Sequence, residues 1–194
     1  MLPKLDNDND LAGFIQEVRK TVTLSVGLEG APMAEFTEQL SAFNRLLEQR
    51  YTQPKPYIAQ SPADAVKAIF NDTPAGGRYN PLACPGELTF ADGVVTRRLN
   101  LPHPYHGPGK LVHGGVISML YDDLFAITAC LNEIRAQTVS MTVSYKGPTF
   151  IQSDLEFTAK IAEREGRKIT VHGECCYDGK LLTEASALFI EVKQ

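Results

Sequence analysis

Two periods of hydrophobic and polar residues run along this chain, and the change between them separates its parts. From Thr138 onward the period is two. Val139, Met141, Val143 and Tyr145 alternate with Thr138, Ser140, Thr142 and Ser144. Within Asp154–Ile161, Leu155, Phe157, Ala159 and Ile161 alternate with polar partners, and within Lys168–Tyr177, Ile169, Val171 and Cys175 alternate with Thr170, His172 and Glu174. Glu165-Gly166 and Asp178-Gly179 are turns, and Leu181–Val192 follows the second of them. Four such strands, mostly joined by tight turns, predict an antiparallel sheet with one apolar face. Upstream, Glu87–Ala91 and Val94–Leu101 joined by Asp92-Gly93 read as a further hairpin.

Elsewhere the period is helical. Val112 to Leu131, V-H-G-G-V-I-S-M-L-Y-D-D-L-F-A-I-T-A-C-L, is free of proline and apolar on most sides. Such a helix is buried by its surroundings. The sheet and the helix both bury their apolar surface if the sheet curls around the helix. Pro102 to Gly109, with three prolines and two glycines, is a rigid loop leading into it. Residues 1–75 read as a helical extension. Leu11–Val22 forms a short helix, and Pro32–Tyr51 a longer one with Phe36, Leu40, Phe43 and Leu47 as one stripe. Gln53-Pro-Lys-Pro breaks that helix, and Ser61-Pro-Ala-Asp caps another running to Phe70. Asn71-Asp-Thr-Pro-Ala-Gly-Gly marks the boundary with a domain spanning 76–194. The extension carries no motif chemistry and reads as an arm packing on the main domain or on its partner.

Composition narrows the function. Apolar residues at 43% and charged residues at 22% describe an ordinary globular protein. A net charge of -4 without a basic cluster argues against nucleic acid as a partner. No run is read as long enough to span a membrane, and the acidic N-terminus lacks a signal-peptide core, so a cytoplasmic location is expected. Cys84, Cys130, Cys175 and Cys176 show no metal-ligand spacing and are expected to be reduced and structural. His103, His106 and His172 also lack partners at metal spacing, so no metal is expected.

Against this background the adjacent acids Asp122 and Asp123 stand out in the middle of the apolar helix, where a carboxylate is costly unless paired or wet. At the helix start, backbone N–H groups carry a partial positive charge, and Gly114 and Gly115 let a ligand oxygen approach them. That suits a polarised carbonyl or an oxyanion. Asp122 lies eight residues beyond Gly114, roughly 12 Å along the axis, too far for one carbonyl carbon to touch both. Two such helices lying antiparallel across a two-fold axis would bring Gly114 of one chain to Asp122 of the other. Ser118, Asp122 and Gly115 share one narrow polar face, and Asp123 is turned about 100° away.

The run V-H-G-G-V-I-S-M-L-Y-D followed by T-V-S-M-T-V-S-Y-K-G-P resembles the hotdog-fold acyl-CoA thioesterases of the phenylacetate-degradation type. Their pattern is H-G-G, a carboxylate nine residues after the His, and a strand ending in aromatic-x-x-Pro. Here these are His113, Asp122 and Tyr145-Lys146-Gly147-Pro148, and the likeness runs from about Tyr79 to the C-terminus, including Asn80-Pro-Leu-Ala. The resemblance implies an α+β hotdog fold, with an antiparallel sheet wrapped around a long central helix and the helical extension added. It also implies a homodimer or dimer of dimers that hydrolyses acyl-CoA, with no cofactor beyond the CoA of the substrate.

By the same resemblance, Gly114, helped by Gly115, polarises the thioester carbonyl, and Asp122 of the partner acts as general base or nucleophile. Thr138 holds the water or the carboxylate, and His113 sets the turn geometry and could hydrogen-bond near the carbonyl. Ser118, Tyr145 and Lys146 are expected at the substrate, although Tyr145 and Lys146 also read as packing and a solvated charge. Lys146, Arg97 or Arg98 could meet CoA phosphates. For Asp123 a structural ion pair is the favoured reading. One departure is Gly107, which stands where some relatives carry an Asn that orients the water; another is Ser118, where many have Thr or Ala. Two other functions are consistent with this scaffold: a non-catalytic acyl-CoA binder or sensor, and a hydratase of the D-x-N-P-x-H type. Arg78-Tyr79-Asn80-Pro81-Leu82-Ala83 lacks the His that the hydratase requires.

Overall fold

The computed structural model describes residues 9–51, 62–84 and 86–192. Helices α1 (Asn9–Ser25), α2 (Ala34–Arg50) and α3 (Pro62–Asp72) precede the hairpin of β1 (Glu87–Ala91) and β2 (Val94–Asn100). The long helix α4 (Gly114–Leu131) follows. After it come β3 (Ala136–Tyr145), β4 (Asp154–Glu165), β5 (Lys168–Tyr177) and β6 (Lys180–Glu191). All six strands form one antiparallel sheet in the order β1-β2-β4-β5-β6-β3. Asp92 and Gly93 both have positive φ (51° and 77°), as do Asp178 and Gly179 (48° and 72°). That is the turn geometry whose twist matches the flanking strands.

Helix α4 packs against β2, near one end of the sheet, and also against β3 at the other edge. One helix can touch both only if the sheet curls around it. Ile117, Leu120, Tyr121, Leu124, Phe125 and Ile127 join Val95, Leu99, Phe157, Val171 and Phe189 in a single core. Gly173 allows a close approach of β5 to α4, since a Cβ there would lie 2.6 Å from the Phe125 ring. The buried Tyr121 hydroxyl is paired with the Thr183 carbonyl at 3.0 Å and the Thr183 hydroxyl at 2.8 Å. By length and composition α4 does qualify as a membrane span, 18 residues at mean hydropathy 1.4, contrary to the reading that no run is long enough. Half of it is buried inside the fold, which describes a core helix.

The alternation expected for β3 holds only in part. The register shifts between Thr138 and Ser140, so Val139 bulges out at 59% exposure and Tyr145 is 54% exposed, leaving Met141 and Val143 half-buried. A bulge resets the phase that strict alternation assumes. The first two helices occupy the expected places, α1 running longer at each end. The stripe on α2 is mostly exposed: Phe36, Leu40 and Phe43 lie open, although Phe43 meets Phe14 of α1 with ring centroids 6.0 Å apart and Leu47 is half-buried. The Gln53-Pro-Lys-Pro break and the Ser61 cap lie outside the described residues. The extension is tied to the domain by Arg19, whose Nη2 donates to the carbonyls of Gly77 (2.9 Å), Arg78 (3.0 Å) and Asn80 (2.8 Å). It is also tied by α3, which packs on α4.

Candidate active site

The loop into α4 is cross-braced before the helix begins. The Gly107 N–H donates to the Leu111 carbonyl at 2.7 Å and the His113 N–H to the Tyr105 carbonyl at 2.9 Å. A Cβ at Gly107 would sit 3.1 Å from His113 Cα, so the glycine lets the two arms of the loop close. His113 is the N-cap, and its Nδ1 accepts the Gly115 N–H at 3.0 Å. A ring accepting at Nδ1 is inferred to be neutral, with its proton on Nε2.

This changes the part expected of Gly115. Its amide is already occupied by the histidine, and those of Val116 and Ile117 go to the His113 carbonyl at 2.9 and 3.3 Å. Among the described residues, the Gly114 N–H is the first-turn amide without an acceptor, so Gly114 alone is left to face a ligand. The Gly114 carbonyl accepts from Tyr145 Oη at 2.9 Å and Ser118 Oγ at 3.2 Å. A Cβ at Gly114 would come within 3.1 Å of that phenol oxygen. Ser118 and Tyr145 thus brace the first turn of the helix through its Gly114 carbonyl.

Further along, the two acids separate as their rotation requires. Asp122 is exposed on the same side as the exposed Gly115 and the half-buried Ser118 and Met119. Thr138 on β3 donates to its Oδ1 at 3.1 Å. Asp123 is buried, with Oδ2 accepting from Arg97 Nη2 and Oδ1 from Thr73 Oγ1, each at 2.8 Å. Burial pushes the Asp123 carboxyl above the usual range, while the Arg97 guanidinium and the Thr73 hydroxyl pull it back.

The expected CoA contacts fare unevenly. Arg97 is only 4% exposed and committed to Asp123, so it cannot meet a phosphate. Arg98 is exposed and paired with Glu156 at 2.6 Å. It lines a cleft of about 660 Å³ together with Glu87, Asp154, Glu156 and Asp178, an acidic lining that repels phosphate. That cleft touches neither acid of α4 nor its N-terminus. Lys146 pairs with Glu184 at 2.8 Å and, through that hydrogen bond first, holds the Glu184 carboxyl below its ordinary range. Among the described residues no group of three His, Cys, Asp or Glu is placed to hold a metal ion.

Thr73 and Arg97 were not legible as partners of Asp123. A signal for Arg97 did exist. It occupies the inward phase of β2 between Val95 and Leu99, where the alternation calls for an apolar residue.

No family model matches the chain, and no curated protein matches it in sequence. Solved structures do. A thioesterase superfamily protein is 25% identical, with 98% of this chain and 95% of that chain covered and a TM-score of 0.85. A hypothetical thioesterase from Streptococcus pneumoniae, crystallised with coenzyme A, is 13% identical, covering 57% of this chain and 88% of its own, at a TM-score of 0.54. PaaI, from the phenylacetic acid degradation operon of E. coli, is 17% identical over 55% of this chain and 82% of its own, at a TM-score of 0.52. The last two show the fold alone. The full-length match also takes in the helical extension. The curled antiparallel sheet, the central helix and the full-length match lead to one conclusion: the chain has the hotdog fold of the thioesterase superfamily.

Proposed function

We propose that this protein hydrolyses an acyl-CoA thioester at a site made by two copies of the chain. The observation that carries this reading is the pairing of Asp122 with Thr138 on the open side of α4. The one uncommitted amide of the same helix, that of Gly114, lies ~12 Å away along the axis. A donor for a carbonyl and a held carboxylate are thus present, but out of reach of each other within one protomer. Two antiparallel copies of α4 bring them together.

In that arrangement the Gly114 N–H, backed by the positive end of the helix, polarises the thioester carbonyl. Asp122 of the partner subunit takes a proton from water as the water oxygen bonds to the carbonyl carbon. The tetrahedral intermediate collapses, the C–S bond breaks, and the CoA sulfur leaves with the proton held by the carboxyl. Thr138 occupies one oxygen of Asp122 and leaves the other for the water. The half-buried Val116 and Met119 beside this face suit an aromatic or medium-length aliphatic acyl group. Solved relatives crystallised with coenzyme A and, in Streptococcus mutans, with acetyl CoA support a CoA ester as the ligand class.

Two measurements test the reading. A panel of acyl-CoA esters in a thiol-release assay is expected to show turnover, and the solution mass is expected to be at least twice 21.3 kDa. Tight binding of CoA esters without turnover would instead make the protein a binder, and a fully active monomer would remove the shared site. Single turnover in ¹⁸O-water separates base from nucleophile, because only the nucleophilic route leaves label in the Asp122 carboxylate.

A further inference from the structure

The acid that the proposed reaction does not use is the more heavily built in. Asp123 and Arg97 have side chains only 5% exposed and meet at 2.8 Å. They are joined by Thr73, which follows α3 and whose hydroxyl lies 2.8 Å from Asp123 Oδ1 and 2.9 Å from the Ile69 carbonyl. A Cβ at Gly76 would overlap the Arg97 guanidinium, so the turn that follows α3 is shaped around that group. Three segments distant in sequence therefore converge one residue from Asp122.

We propose that Asp123, Arg97 and Thr73 are positioning residues that set the rotation of α4 and so aim Asp122. The inference rests on the reading of Asp122 as the catalytic carboxylate. Its physical basis is the character of the helix. A helix apolar on most sides can be buried at several rotations with similar loss of exposed area. Core packing of the right volume tolerates such variation before it loses stability. A rotation of one residue, about 100°, would exchange Asp122 for Asp123 on the open face. A buried ion pair admits one geometry, and fixing register is the best-attested use of such pairs.

Stability does not account for the pair. Well-packed apolar residues of similar volume often replace a buried ion pair without loss. Arg97 Nη1 also lacks an acceptor among the described residues, a further cost. The extension becomes part of the catalytic apparatus through one hydroxyl, and the full-length thioesterase superfamily match spans that extension as well. The ion pair also leaves Asp122 beside a pair of no net charge. The groups around Asp123 are Arg97 from β2, the Thr73 hydroxyl, the Cys84 thiol and Asp122 itself.

The test uses the full chain. Thr73→Val keeps the shape of the side chain, and kcat is expected to fall about three- to tenfold with KM within about twofold, while Thr73→Ser restores it. Arg97→Met with Asp123→Leu is expected to fold and to lose at least about tenfold in kcat. A purely structural trio would lower stability without this split between kcat and KM. If the double variant folds with wild-type kcat, the proposal is overturned; if it does not fold, wild-type kcat in Thr73→Val overturns it instead. Asp122→Asn serves as the reference. Full activity there would overturn the thioesterase reading and this proposal together. Lost activity there beside an unaffected double variant would overturn this proposal alone.

Discussion

Adjacent acids with opposite surroundings make a paired experiment possible. Asp122→Asn alters an exposed side chain, and Asn offers Thr138 a carbonyl oxygen in place of Oδ1. Surface substitutions of this kind change stability by about 0.5 kcal/mol or less. Removing a general base, in contrast, is expected to lower the rate by about 10²–10⁴-fold. That corresponds to roughly 3–5.5 kcal/mol of transition-state free energy. Asp123→Asn strands Arg97, which is 4% exposed, without its counter-charge. Breaking a buried pair in this way costs about 3–5 kcal/mol, and for a chain of this length that lowers Tm by about 6–20 °C. Circular dichroism melting and initial rates of acyl-CoA hydrolysis, measured on both variants, read the two effects separately. The reasoning fails if Asp122→Asn keeps its rate, or if the two variants lose equal stability.

Three further outcomes are expected. Gly173→Val places carbon where the Phe125 ring and the Thr158 carbonyl already stand, 2.6 and 2.7 Å from a Cβ, and should lower stability by about 1–3 kcal/mol in denaturant unfolding; an unchanged midpoint would contradict the close packing of α4 on β5. Gly107→Asn restores the residue some relatives carry, yet it should reduce kcat by about tenfold because the new Cβ crowds His113 Cα at 3.1 Å; increased activity would show that the loop opens freely. Burial pushes the Cys84 thiol up to about 11 and the Cys175 thiol up to about 12, so both are protonated at pH 8 and should resist alkylation in the native protein, reacting only once it is unfolded; mass spectrometry of the native, treated chain checks this, and ready labelling of either would contradict it.

Much of the architecture was legible from local pattern. The period-two runs located β4, β5 and β6 to within a few residues, and the Asp-Gly pairs marked two of the turns with positive φ. Each residue of a strand faces one side or the other, so alternation alone reports which side is apolar. The same geometry separated Asp122 from Asp123, because helical rotation is a property of spacing and needs no partner. The His-Gly-Gly start likewise marked where α4 begins.

Neighbours across space were not legible. That β3 flanks β6 at the sheet edge, that Val139 bulges out of phase, and that Arg97 turns inward all depend on pairings between segments far apart in the chain. The stripe on α2 shows the same gap from the other side, since a periodic apolar face predicts a helix without saying what covers it. His113 taking the Gly115 amide, and Thr73 reaching Asp123 from fifty residues away, are decided by which surfaces meet. Sequence spacing located the helices and strands and, for β4, β5 and α4, the face turned inward; only the tertiary fold decided which buried charges and amides would find partners, because hydrogen bonds and ion pairs act over a few ångströms of space whatever the separation along the chain.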